Sequence, residues 1–186
     1  MSVLLVAVAA VAGAPVRAWR FDTATSQARF SVRKLWFAKA RGRFPGLRGS
    51  LREVAGGGAN AVAVDATVAL ATLVMAGTDD RARALGPDFF DAARYPQIHF
   101  HSAPFPFAEL ATGGALRGTL ALHGEQRQVT LRLRPSACPR QPLACALRVR
   151  GTISRARFGM RHLRGLVSDK VEIALTIHVA AGQPAG

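Results

Sequence analysis

Apolar and polar side chains alternate with a period of two through most of this chain. In 19–32 the apolar positions include Phe21, Phe30 and Val32; 43–51 carries Phe44, Leu47 and Leu51; 61–70 carries Val62, Val64, Ala66, Val68 and Leu70. Successive side chains of a strand point to opposite faces, so this spacing predicts half-buried β-strands. The pattern returns in 98–102, 116–122, 129–133, 146–153 and 171–179, between Gly-Gly, Pro and Gly-Glu-Gln turn signals. About eight strands result, and without crossover helices between them a parallel sheet is excluded.

One interruption, 72–94, has helical character in short pieces at 79–85 and 89–93. Gly86, Pro87 and Asp88 form a turn that plants Phe89 and Phe90 on a connecting segment, where two large rings must be buried. Tyr95-Pro96 then biases the chain to an extended conformation, and Gln97-Ile98-His99-Phe100-His101-Ser102 alternates as a strand. The simplest picture is a helical lid feeding a barrel strand.

In a single antiparallel domain of this size, eight strands can close around one small ligand. The inward phase would then hold Phe30, Val32, Val62, Val64, Val68, Leu70, Ile98, Phe100, Leu116, Leu120, Leu122, Val129, Leu131, Leu133, Val149, Ile153, Val171, Ile173, Leu175 and Ile177. Two readings fit this face: a lumen for an apolar guest, or side chains that fill a dry core.

Lys34 continues the Phe30-Val32 phase toward the mouth of that lumen, where an ammonium needs a carboxylate or a phosphate to meet it. A bulge at 35–37 would instead turn it to solvent. Arg81 on the lid, with Arg157 and Arg161 in the irregular segment after 153, could clamp a headgroup or be solvated at the surface. His99 and His101 share one face of a strand at a metal-binding spacing, but they are out of phase with the lumen and lack a third ligand, so no metal is expected. His162 with Ser168 and Asp169 lacks a nucleophile elbow, so no catalytic residue is expected.

The N-terminus adds a compartment. Residues 1–18 contain an apolar run over 3–14 that is short for a membrane span and ends in small residues. This reads as a signal peptide cleaved after Ala18, with an atypical n-region that lacks Lys or Arg; an uncleaved anchor is the alternative. Export to the periplasm follows, with one domain over 19–182. In an oxidising compartment Cys138 and Cys145, with Pro139 and Pro142 between them, are expected to pair as a disulfide pinning a hairpin loop.

Among the 186 residues, the formal net charge of +14 invites a nucleic-acid reading. It is set aside because the cations are dispersed, nearly all are Arg, and no nucleic-acid motif accompanies them. Anionic lipid headgroups or a phosphate-bearing ligand are the expected partners.

Several blocks together carry a family resemblance: Phe30-Ser31-Val32; Arg41-Gly42-Arg43-Phe44 with Gly49; Asp88-Phe89-Phe90-Asp91 with Tyr95-Pro96, Phe100 and Ser102; Gly118-Thr119-Leu120 with Gly124; Val129-Thr130-Leu131; Ile153-Ser154-Arg155 with Phe158-Gly159-Met160; and Val167-Ser168-Asp169 with Val171. Over about residues 20–180 the chain resembles the YceI-like family of exported, lipocalin-like barrels that bind polyisoprenoid lipids. The resemblance implies an all-β fold, an eight-stranded antiparallel lipocalin-like barrel with a short helical lid segment. It implies non-enzymatic binding, transport or storage of a polyisoprenoid or quinone lipid, with no cofactor beyond that ligand. The expected lumen contacts are Phe30, Val32, Val64, Val68, Leu70, Phe89, Phe90, Ile98, Phe100, Leu120, Leu131, Ile153, Phe158, Met160 and Ile173; the expected headgroup contacts are Lys34, Arg81, Arg157 and Arg161.

The chain departs from the family where Lys34 replaces a usual His, where Arg81-Ala82 and Ala84-Leu85 replace Arg-Asp and His-Leu, and where Ala121 and the 125–127 stretch lack usual threonines. Alternatives are an enzyme acting on a quinone-like substrate in the same cavity and a basic envelope-binding module; the oligomeric state, a homodimer included, stays open.

Overall fold

The alternating segments become strands of one curled antiparallel sheet. The structure is a computed structural model that describes residues 17–35, 38–55 and 60–180. Almost all of the leader expected at 1–18 lies outside the described residues, as do Trp36, Phe37 and the turn-like Gly56-Gly57-Gly58. In chain order the strands are β1 (Ala18–Arg20), β2 (Gln27–Lys34), β3 (Ala38–Pro45), β4 (Arg48–Glu53), β5 (Ala61–Ala69), β6 (Val74–Met75), β7 (Gln97–Ser102), β8 (Phe105–Pro106), β9 (Gly114–Leu122), β10 (Glu125–Leu133), β11 (Leu147–Ser154) and β12 (Val167–Ile177). Two short helices, α1 (Thr78–Leu85) and α2 (Glu109–Thr112), complete the fold.

The expected barrel-like all-β architecture is present, but among the described residues the sheet has twelve strands rather than eight. The run at 19–32 breaks into β1 and β2 because the Asp22 carboxylate accepts from the Ala24 N–H (3.0 Å) and the Thr25 hydroxyl (2.7 Å), which folds a tight turn. The run at 43–51 breaks at Gly46, whose φ of 73° is left-handed. Strand β3 begins at Ala38, in a stretch where Lys39 and Arg41 mask the apolar alternation. Strands β6 and β8 are two-residue edge pieces, too short to show any period.

Neighbouring strands follow the order β1-β4-β5-β7-β9-β10-β11-β12-β2-β3-β6, with β8 beside β5. The sheet curls into a half-barrel. The first and last described segments meet at one end of the molecule: Phe21 bridges Val179, the Asp22 N–H donates to the His178 carbonyl (2.8 Å), and the Ala180 N–H donates to that of Arg20 (2.9 Å). The hydroxyl of buried Ser26 accepts from the His178 N–H (3.0 Å) and donates to its carbonyl (3.2 Å), standing in for a ladder bond.

Inside, the apolar face divides in two. Toward the end where these segments meet, Leu51, Val64, Phe105, Leu110, Leu116, Leu133 and Leu147 pack into a solid core around a void of only about 20 Å³, barely room for one water. Toward the other end the same face surrounds a real cavity. Glycines on the inward face let aromatic rings lie flat against the wall. A Cβ on Gly42 would collide with the Phe30 ring opposite it, and one on Gly118 would come within 2.8 Å of the Phe100 ring.

Cys138 and Cys145 form a disulfide with Cα atoms 5.7 Å apart, in the β10–β11 loop at the packed end. His99 and His101 lie on the outer face of β7, where they meet Thr67 Oγ1 (3.1 Å) and an Asp65 carboxylate oxygen (2.6 Å). The described residues contain no cluster of metal-ligating side chains.

Candidate functional site

A cavity of about 190 Å³ occupies the half of the sheet away from the packed end. Strand β2 contributes Ala28, Phe30, Val32 and Lys34, with Arg29 beside them, and β12 contributes Val167, Val171, Ile173 and Leu175. These two walls are in register, Phe30 opposite Ile173 and Val32 opposite Val171. Ile98 and Phe100 of β7, Leu120 and Leu122 of β9, Leu131 of β10 and Ile153 of β11 close the remaining sides.

The lid comes from the interruption in the strand pattern. Phe90 reaches in to meet Phe30 (ring centroids 5.7 Å) and Phe44 (5.8 Å), which also touch each other (5.8 Å), a triangle of edge and tilted contacts. Helix α1 buries none of its residues completely. Ala84 and Leu85 pack partly buried against the core, and polar contacts add to this: Asp80 accepts from Lys34 Nζ (2.8 and 3.0 Å), and Arg81 donates to the Leu73 and Ala71 carbonyls (2.8 and 3.1 Å). The lid is thus fastened by the aromatic triangle, a half-exposed ion pair and two backbone contacts.

Arg155 shapes the opposite rim. It is almost completely buried, borders the cavity, and donates to four carbonyls: Ser168 (3.1 Å), Met160 (2.8 Å), His162 (2.7 Å) and Val167 (3.0 Å). One side chain thus spans the whole 160–168 loop. Burial lowers its pKa, yet a guanidinium stays charged at any physiological pH. Its face lies 5.9 Å from the Phe89 ring, so loop and lid meet over the cavity. Nearby, the Ser154 hydroxyl and the Ala156 N–H (2.9 Å) hold the Asp169 carboxyl below its ordinary pKa. A largely apolar pocket with a few charged lining residues can hold an apolar body and orient one polar end.

A family model described as a YceI-like domain matches residues 19–179. The chain belongs to the YceI-like family. Among solved structures it is similar to BcnA of Burkholderia cenocepacia, with 20% identity, 87% of this chain and 99% of that chain covered, and a TM-score of 0.67. It is also similar to a polyisoprenoid binding domain from Saccharophagus degradans implicated in plant cell wall breakdown, with 19% identity, 89% and 99% coverage and a TM-score of 0.66. A YceI protein of Campylobacter jejuni shares 17% identity over 81% of this chain and 90% of that one, with a TM-score of 0.57. At these identities the likeness shows a shared fold. A comparison with curated proteins finds no match.

Within this YceI-like half-barrel the cavity brings together Phe30, Val32, Val68, Phe89, Phe90, Ile98, Phe100, Leu120, Leu131, Ile153, Met160 and Ile173, all singled out by inward phase or family motif. Val64 lies instead in the packed end, and Leu70 and Phe158 are buried in short 3-10 turns beside the sheet, where strand phase no longer applies. Lys34, in place of the family's usual histidine, lines the cavity mouth and pairs there with Asp80; Trp36 and Phe37 of the bulge expected at 35–37 lie outside the described residues.

The arginine clamp expected from the sequence is corrected. Arg81 is spent on backbone carbonyls away from the cavity, and Arg157 and Arg161 are exposed and do not line it. Arg155 and Arg83 border it instead, with Asp80. Arg155 stands two residues after Ile153, so an arginine in an apolar phase was the signal that pointed inward. Asp80 and Arg83 gave no such signal, because a helix this polar shows no inward face.

Proposed function

We propose that this YceI-like protein is a non-enzymatic carrier or store of a polyisoprenoid lipid, a quinone or a prenyl phosphate, working in the periplasm after export. The observation that carries the reading is the cavity, whose walls are predominantly apolar and whose charged lining residues are Arg29, Lys34, Asp80, Arg83 and Arg155. The fold shared with the polyisoprenoid binding domain of Saccharophagus degradans supports the same reading.

Burial supplies most of the affinity for the tail. Each 100 Å² of tail removed from water contributes about 2.5 kcal/mol. A volume near 190 Å³ is below the roughly 300 Å³ of an ordinary small-molecule pocket. A tail of several isoprene units therefore gains room by displacing Phe89 and Phe90 or by running out past Lys34. A phosphate at the mouth would compete with Asp80 for the Lys34 ammonium and loosen α1 as it bound.

Native mass spectrometry of freshly purified protein, followed by organic extraction, tests the reading. The expected result is a stoichiometric isoprenoid lipid, or uptake of added farnesyl phosphate and solanesol. No copurifying lipid and no uptake of either probe would sink it. Lys34→Ala is expected to weaken farnesyl phosphate several-fold and leave solanesol unchanged, which separates headgroup from tail recognition.

A further inference from the structure

The cavity mouth is ringed by features the lipid pocket itself does not use. Leu35, just after β2, and Leu166, just before β12, are each 51% exposed and adjacent, the Leu35 N–H donating to the Leu166 carbonyl (2.6 Å). Both sit on turns that set a leucine in the left-handed region: Leu35 itself has φ 52°, and Leu163, which opens the turn leading to Leu166, has φ 53°. Leucine is a poor choice for that conformation, which glycine or asparagine takes at less cost. Two large apolar side chains are thus presented to solvent beside Lys34 and Val167, which line the mouth and pair with each other across the sheet.

Cations surround them. Arg33 and Lys39 face each other in the β2–β3 ladder, Arg161 and Arg164 lie on the 160–168 loop, and Lys170 follows on β12; all are exposed. Among the described residues none of these five makes an ion pair. Most acids at this end are engaged: Asp80 with Lys34, Asp88 with His162 (3.6 Å), and Asp169 with the Ala156 N–H; Asp79 on α1 is exposed, and five cations outnumber it. Glu172, whose carboxylate accepts from Ser31, is near Arg33 and Lys39 but lies along the outer wall, not at the tip.

We propose that this mouth is a docking surface for an anionic phospholipid bilayer, with Leu35 and Leu166 entering the headgroup layer and the five cations resting on lipid phosphates. The juxtaposition favours a bilayer over a nucleic acid, which would meet the cations but gain nothing from a pair of projecting leucines. Each Lys or Arg near an anionic surface strengthens binding about fivefold, an effect screened within about 10 Å by ordinary salt. The two leucines add a salt-resistant apolar part. Docking here opens the cavity directly to the acyl layer, so a lipid tail would pass between them without crossing water. That direction of transfer rests on the lipid-carrier reading; the docking does not.

Cosedimentation of the protein with vesicles of equal phosphatidylglycerol and phosphatidylethanolamine tests it, against vesicles of phosphatidylcholine. Binding is expected to the anionic vesicles only. Leu35→Ser with Leu166→Ser is expected to weaken it by about tenfold or more, and Arg33→Glu with Lys39→Glu by a similar factor. Arg132→Glu with Arg150→Glu, an outer-wall control, is expected to change it less than threefold. Far-ultraviolet circular dichroism and uptake of solanesol without vesicles check that each variant is folded with its cavity intact. No vesicle binding by a protein that takes up solanesol overturns the docking and spares the carrier reading; vesicle binding without solanesol uptake does the reverse. Loss through the outer-wall control with no effect of the leucine pair, or duplex DNA bound as tightly as anionic vesicles, also overturns it.

Discussion

Arg155 serves more partners than any other side chain at the rim. Replacing it with methionine keeps much of its apolar bulk but leaves the carbonyls of Met160, His162, Val167 and Ser168 without their donor. Urea unfolding of Arg155→Met is expected to show a loss of about 3 kcal/mol or more, and Arg155→Lys a smaller loss, since an ammonium reaches fewer carbonyls. Asp169 makes the same loop sensitive to acid. Its folded pKa lies below the ordinary 3.8, so the stability it contributes is complete above that value and is lost as pH falls through the folded pKa. Thermal melts from pH 7 down to pH 3 should show Asp169→Asn less stable than the parent at neutrality, with the gap narrowing in acid. Residues such as Phe30, Val32 and Ile153 announced their position because strand phase and burial coincide. Asp80 and Arg83 did not, because their placement depends on how α1 lies across the sheet, a tertiary fact without a local pattern.

At the scale of elements, alternation found the central strands and failed at the edges. Strand β3 was half hidden because its outward positions, Lys39, Arg41 and Arg43, outweigh a small inward set of Ala40 and Gly42. That inward set is small because the Phe30 and Phe44 rings need the space. The lid at 78–95 was legible from Gly86-Pro87 and the paired phenylalanines, although its fastening to Lys34 was not. The disulfide loop between β10 and β11 belongs to the packed end, far along the strands from Lys34 and Val167. Reduction of Cys138–Cys145 is therefore expected to lower stability by about 2 kcal/mol and to leave uptake of solanesol unchanged; a combined thermal melt and binding assay with and without reductant checks both.

For the molecule as a whole, the sequence pattern conveyed a curled antiparallel sheet but left open whether its interior is hollow or solid. Both alternatives describe it, at different ends, because large side chains such as Phe105, Leu110 and Leu116 crowd one half while Gly42 and Ala40 thin the other. Its polarity along the barrel axis has a practical side. Arg20 and Ala180 are stitched together at the solid end, so anything joined to either flank of the domain, an affinity tag, a fluorophore or a glass slide, hangs from the back of the molecule. A sensor chip that grips the molecule at Ala180 would hold each copy with its opening turned toward the flowing solution.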